Sequence, residues 1–276
     1  MLDLCFCKAQ RYLRNGDAQN HERQIQTRTS RLMADFDLLR ATTPARLGVG
    51  RAGPRYKTGA MLKLRADHAR AVDAVLTEVP RDWAKRQGWP EFSSQVESRE
   101  EYLRFPERGR RLADSEIARL KKIAKKKAAR DKRASVLIFV SDGLSSSAVI
   151  AHSPAVVAGL TKVLGARCRL LPTIFVRNAR VRIEDHLGEI LKPDVVCMIV
   201  GERPGLLTAE SLSAYVIYRP SLKSIEPDRT VISNIHPDGI KPADGSKKIA
   251  ALIDDILEQR ASGARLAALH GGEIPA

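Results

Sequence analysis

Gly201-Glu202-Arg203-Pro204-Gly205 sets an acid and a guanidinium between two glycines. A carboxylate accepts from amide or hydroxyl donors and a guanidinium donates to carbonyl or anionic oxygens, so this pair is a candidate for binding a polar small molecule. Two other stretches carry comparable chemistry. Thr43 to Arg55 holds three glycines, two prolines and three arginines in thirteen residues, which makes it a structured loop offering N–H groups and guanidiniums. Those donors suit an anion, or equally the carbonyls of neighbouring helices. Ser141-Asp142-Gly143-Leu144-Ser145-Ser146-Ser147 begins like the hydrolase elbow G-x-S-x-G but has Ser where the last glycine belongs. Ser145 is more simply a helix cap. His68 follows Asp67 and His186 follows Asp185, and in each place a structural hydrogen bond or surface role is the plainer reading than a base.

The elements that must position these groups are legible as runs. Asp194 to Val200 is short, apolar, β-branched and closed by Gly and Pro, the pattern of a strand buried on both faces. Ser135 to Val140 repeats it and feeds a helix through about Leu164. Arg169 to Val176 then precedes a helix at Ile183 to Leu191, while Ala214 to Tyr218 and Thr230 to Ile235 are further strands. Ile249 to Leu269 closes the chain as a helix. Repeated strand–turn–helix units imply an α/β fold: a mainly parallel, Rossmann-like sheet with helices on both faces. The loops at 141–147, 177–182 and 201–206 are then expected along one edge, where open α/β sheets bind ligands. No G-x-G-x-x-G or P-loop follows the first strand, so nothing announces a dinucleotide or nucleoside triphosphate.

Composition divides the chain into a tail at 1–30, a smaller, mostly helical N-terminal domain at 31–133 and the α/β domain at 134–276. The tail is either mobile or an amphipathic helix, Ser30 caps the first core helix, and Trp83 and Trp89 are expected to anchor against the first domain. Cys5, Cys7, Cys168 and Cys197 lack the spacing of a zinc site or a disulfide framework, so reduced thiols and the cytosol are expected. No apolar run approaches the roughly 20 residues of a membrane span. Much of the cationic weight behind the formal charge of +15 is local, in Lys121 to Arg133. A solvated helix face or linker explains it, the alternative being a noncatalytic nucleic-acid or scaffold-binding protein. With aromatic residues at 5% and no RNA-binding motif, zinc finger or helix-turn-helix, no nucleic-acid partner is expected.

Taken together, several blocks resemble the small subunit of ethanolamine ammonia-lyase. They are Thr43 to Arg55 with Asp67-His68, Ser141 to Ser145, Phe175 through Asp185, Gly188 to Ile190, Val200 to Leu206, Glu210 to Leu212, and Asp228 to Ile235. The resemblance runs from about residue 40 to Gly263. It implies a hetero-oligomer with a large, barrel-shaped subunit, converting ethanolamine to acetaldehyde and ammonia with adenosylcobalamin. Substrate and radical chemistry would sit in the large subunit and the cobalamin between the two, so no catalytic residue and no metal ligand is assigned to this chain. The cofactor contacts implied are Val181, Glu202 and Val231, the last standing where the family pattern has Cys. A valine keeps the small apolar bulk and loses the sulfur. Asp185-His186-Leu187-Gly188 lacks the D-x-H-x-x-G spacing of a cobalt-ligating histidine. The resemblance leaves open whether the enzyme is free in the cytoplasm or enclosed in a bacterial microcompartment.

Overall fold

The computed structural model describes residues 36–43, 45–125 and 132–271, and the side chains of 123–125 are left out of the account. The tail at 1–30, the Ser30 cap and most of the lysine-rich stretch after Lys125 lie outside the described residues. The chain forms two compact units, 1–65 and 66–276, whereas the composition-based limits fall at 30/31 and 133/134.

In the first unit, residues 36–42 are helical. Arg40 of this helix donates to the carbonyls of Leu47 and Gly48 at 3.0 and 2.8 Å, tying the glycine-rich loop down. The loop ends in a two-stranded antiparallel hairpin, β1 (Arg51–Ala52) and β2 (Arg55–Tyr56), turning through Gly53 at φ +61°. Helix α1 (Thr58–Leu76) follows and enters the second unit at residue 66.

The second unit continues with α2 (Trp83–Arg86), β3 (Glu91–Ser93), α3 (Arg99–Arg104) and α4 (Asp114–Lys125). Then come β4 (Ser135–Ser141), α5 (Ser146–Leu164), β5 (Arg169–Leu170), β6 (Ile174–Arg177), α6 (Ile183–Leu191) and β7 (Val195–Gly201). The chain closes with β8 (Leu212–Tyr218), β9 (Arg229–Ile235), α7 (Pro242–Gln259) and α8 (Gly263–Leu269). The sheet order is β3-β6-β4-β7-β8-β9, with the short β5 beside the start of β4. Every residue of β4 and β7 is buried, as their unbroken apolar runs require.

The sheet is mixed, which corrects the expectation of a mainly parallel, Rossmann-like one. β3, β6, β4, β5 and β7 pair in parallel, while β7–β8 and β8–β9 are antiparallel. The connections explain it. A helical crossover brings the chain back parallel from β4 to β6 and from β6 to β7, but only residues 202–211 separate β7 from β8, and no helix intervenes. A second difference concerns Trp83, which packs edge-on to Phe175 of β6 at 5.8 Å and to Trp89 at 5.4 Å. Both tryptophans therefore belong to the sheet's core, and β3 extends that sheet beyond β6.

Helices cover both faces. Val156, Leu160, Ile249 and Ile253 of α5 and α7 pack with Ile138, Cys197 and Val216 on one side. Leu120 of α4 and Ile183 and Leu187 of α6 pack with Phe139, Met198 and Ile217 on the other. Among the described residues α5 is the helix long and apolar enough to cross a membrane, but its Val149, Val156, Val157, Leu160 and Leu164 are buried in this core.

Candidate functional site

β4 and β6 send their chains to helices on opposite faces of the sheet, α5 and α6, so the loops after them part and leave a crevice. The loop after β7 closes its third side. Hydrogen bonds hold the three loops together. Asp142 accepts the N–H of Asn178 at 2.7 Å and the hydroxyl of Ser141 at 3.1 Å, and Leu144 N–H donates to the carbonyl of Gly201 at 3.0 Å. Two glycines permit that approach. Gly143 sits at φ +59°, and a Cβ there would lie 2.3 Å from the Gly201 oxygen; one on Gly201 would lie 2.1 Å from the carbonyl of Ser145.

Arg99, at the start of α3, reaches into this junction. It donates to the carbonyls of Gly143 and Val75, both at 2.7 Å, and stands 4.0 Å from Asp142. Burial raises the Asp142 carboxyl above its usual range, with Arg99 opposing the shift. The charge on Arg99 therefore compensates this buried carboxylate, with a smaller contribution from Arg177.

The crevice contains a cavity of about 390 Å³, whose walls include Gly143, Val181, Val200, Glu202, Arg203 and Tyr215. Val181 and Glu202, expected as ligand contacts, thus face one space from two different loops. Val231 does not line it. It lies on β9 opposite Tyr215, 47% exposed, one strand beyond the wall. The sheet register puts Val231 and Tyr215 on the same face, so Val231 extends the apolar floor outward.

Sequence reasoning did not single out Tyr102, Arg180, Ser213 or Tyr215 as site residues, and all four line the cavity. Tyr102 comes from α3, far earlier in the chain, and donates to the Ala179 carbonyl at 3.3 Å. Burial pushes its phenol up to about 12 against the nearby Arg180 charge, so it stays a neutral donor. The Arg180 guanidinium stacks 4.0 Å above that ring and donates to the Tyr102 carbonyl at 2.7 Å, while its Nε is buried without a hydrogen-bond partner among the described residues. Burial also raises the Tyr215 phenol, and Glu202 adds to the shift. Glu202 itself accepts from Ser213 Oγ and from the Asn234 N–H, each at 2.7 Å. Arg203 is exposed and makes no hydrogen bond or ion pair among the described residues. It also lines an adjoining groove of about 440 Å³ with His68, Val72, Leu76, Leu144 and Leu206.

The other sequence candidates take structural positions. Ser145 is fully buried, accepts the Ala148 N–H at 3.2 Å and donates to the Ala209 carbonyl at 2.6 Å, which makes it a helix cap. His186 is half-buried and its Nδ1 accepts the Leu112 N–H at 2.9 Å, with burial lowering its pKa. Beside it on α6, Glu184 and Asp185 are buried against Arg229 of β9. Among the described residues no group of three or more His, Cys, Asp or Glu could hold a metal ion.

Residues 34–267 match the family model described as ethanolamine ammonia-lyase light chain (EutC). An ethanolamine ammonia-lyase small subunit from Lachnoclostridium phytofermentans is 43% identical over 232 residues, covering 83% of this chain and 75% of that protein. One from Clostridioides difficile is 44% identical over 229 residues, covering 82% and 75%. The family match spans the three loops and the sheet that carries them, and the chain belongs to the ethanolamine ammonia-lyase light chain family.

Proposed function

We propose that the edge formed by the three loops is this chain's share of an adenosylcobalamin site, completed by a large subunit, in a lyase converting ethanolamine to acetaldehyde and ammonia. The observation that carries the reading is that Val181 and Glu202, from loops about twenty residues apart in the chain, line one cavity beside Arg203. The residues present fit the group. A corrin offers an apolar body fringed with amides, which calls for apolar walls and separate acceptors and donors. Val181, Val200 and Tyr215 supply the walls, Glu202 accepts from amide N–H groups, and Arg203, which has no partner among the described residues, donates to amide or phosphate oxygens.

At about 390 Å³ the cavity lies toward the small end of the roughly 300–1,000 Å³ typical of small-ligand sites, so it suits one flank of a corrin and leaves the remainder to the partner. Adenosylcobalamin, when bound, supplies radical chemistry through cleavage of its cobalt–carbon bond. This chain's residues bind and orient it and keep water from its flank. Val231 adds apolar surface at the rim. The reading would ask for no histidine of this chain to hold the cobalt, in keeping with the hydrogen bond already held by His186 Nδ1. The enzyme acts in the cytoplasm, free or within a microcompartment, and nucleic acid is not a partner.

The test is an equilibrium titration of adenosylcobalamin into the purified two-subunit complex. Glu202→Ala should weaken binding at least about tenfold, in line with roughly 1.5–3 kcal/mol for a hydrogen bond to a charged group. A control neutralising the exposed Lys121 and Lys122 of α4 should leave it unchanged. Equal effects of the two would mean the site lies elsewhere. Steeply salt-dependent binding to duplex DNA, lost in the lysine control, would favour the nucleic-acid reading instead.

A further inference from the structure

Glu202 is fixed at one oxygen: Oε1 takes the hydroxyl of Ser213 on β8 and the N–H of Asn234 on β9, both at 2.7 Å. The second bond depends on an irregularity in the sheet. Leu212 pairs with Ile235 and Ala214 with Ile232, so β9 carries one residue more than β8 between those pairs, and Ser233 and Asn234 together oppose Ser213. A bulge of this kind takes an N–H out of the ladder and re-aims it. Here the N–H released at Asn234 meets Glu202.

The bulge is held from both sides. Asn234 sits at φ +63°, a left-handed conformation that Asn tolerates and β-branched residues resist. Its Oδ1 is 2.8 Å from Nε2 of the buried His236. Its carbonyl accepts the Ile240 N–H at 2.9 Å, and Gly239 packs so closely that a Cβ there would come within 2.4 Å of that oxygen. Glu202 Oε2 has no hydrogen bond among the described residues, which makes it the acceptor the side chain offers to the cavity it lines.

We propose that Ser213 and the bulge residue Asn234 are positioning residues, which hold Glu202 in one rotamer so that Oε2 is presented to an amide N–H of the corrin fringe. The inference rests on the reading of Glu202 as a cobalamin contact. Holding a flexible carboxylate in place before the ligand arrives removes an ordering cost from binding. Ser213 and Asn234 act through Glu202 and need not touch the cofactor.

The measurement is adenosylcobalamin affinity of the two-subunit complex, followed by the cofactor's visible absorption. Ser213→Ala should weaken binding several-fold and by less than Glu202→Ala, because it frees the carboxylate without removing it. Ser213→Thr, which keeps the hydroxyl, should restore it. Asn234→Gly keeps both the N–H and the left-handed backbone and should bind within about twofold of the parent, whereas Asn234→Val should not. In a Glu202→Ala background, Ser213→Ala should have no further effect, because its only route to the ligand is gone. If Asn234→Val fails to fold, the Ser213 and Glu202 cycle still decides. Additive losses in that cycle, with Glu202→Ala itself damaging, would overturn the positioning role alone. Unchanged affinity in Glu202→Ala would overturn the cofactor reading and this inference together.

Discussion

Replacing Arg229 by Met should destabilise the chain strongly, and in a way that depends on pH. The Arg229 side chain is 4% exposed and those of Glu184 and Asp185 are 0% and 3% exposed. Its Nε lies 3.0 Å from Glu184 Oε2, its Nη2 bonds Asp185, and Glu184 Oε1 is buried with no hydrogen-bond partner among the described residues. Removing the cation leaves Glu184 with no charge partner and Asp185 with only the partly exposed Arg182 at 3.2 Å. Breaking a buried pair costs about 3–5 kcal/mol. At about 2–4 °C per kcal/mol for a unit of this size, the melting temperature should fall about 6–20 °C at pH 7.5.

The pH sign follows from the carboxylates. Burial holds Glu184 well above its ordinary 4.5 and Asp185 above its ordinary 3.8, with Arg229 pulling both down. Without Arg229 the folded values rise further. The folded variant therefore binds more protons than its unfolded chain above about pH 4.5, and relative to the parent it loses stability as pH rises through that window. Differential scanning calorimetry at pH 5 and pH 8 should show the gap between variant and parent narrower at pH 5. Arg229→Met combined with Glu184→Met should recover the part of the loss that belongs to Glu184, since apolar replacement of a buried pair is close to neutral, while Asp185 keeps only Arg182. A single variant that loses under about 1 kcal/mol, or a gap that widens at pH 5, would refute the reasoning.

Gly143→Ala should cost at least about 3 kcal/mol, because it adds a left-handed alanine and a backbone clash at the loop junction; chemical denaturation of the purified chain checks it. Ser145→Ala should lose about 1–2 kcal/mol through the missing cap and the unpaired Ala209 carbonyl. The complex should nonetheless keep acetaldehyde turnover, and abolished turnover in a folded variant would revive the nucleophile reading of that serine.

The sequence made the buried strands and the edge they end on legible because both depend on local pattern. The apolar runs at Ser135–Ser141 and Val195–Gly201 admit only strands covered on both faces, and the polar turns after them mark the edge where their loops gather. Strand direction was less legible. Ala214–Tyr218 reads the same whether it runs up or down, and only the helix-free stretch from 202 to 211 hints at a reversal. The edge strand Glu91–Ser93 is three residues long, too short for alternation to register. Tyr102 and Arg180 were missed because they meet through tertiary packing, and nothing in a helical R-E-E-Y-L-R segment marks its Tyr as a wall of a distant cavity. The Asn234 bulge escaped because a bulge is a mismatch between two strands, and it becomes visible only once the pairing is known.

The most direct test of the account is acetaldehyde release from ethanolamine by the co-expressed two-subunit complex, run with adenosylcobalamin, without it, and with each subunit omitted in turn. The account predicts turnover only when this chain, the large subunit and the cofactor are all present. Turnover by the large subunit and cofactor alone, at the rate of the complete mixture, would contradict the claim that this chain completes the site.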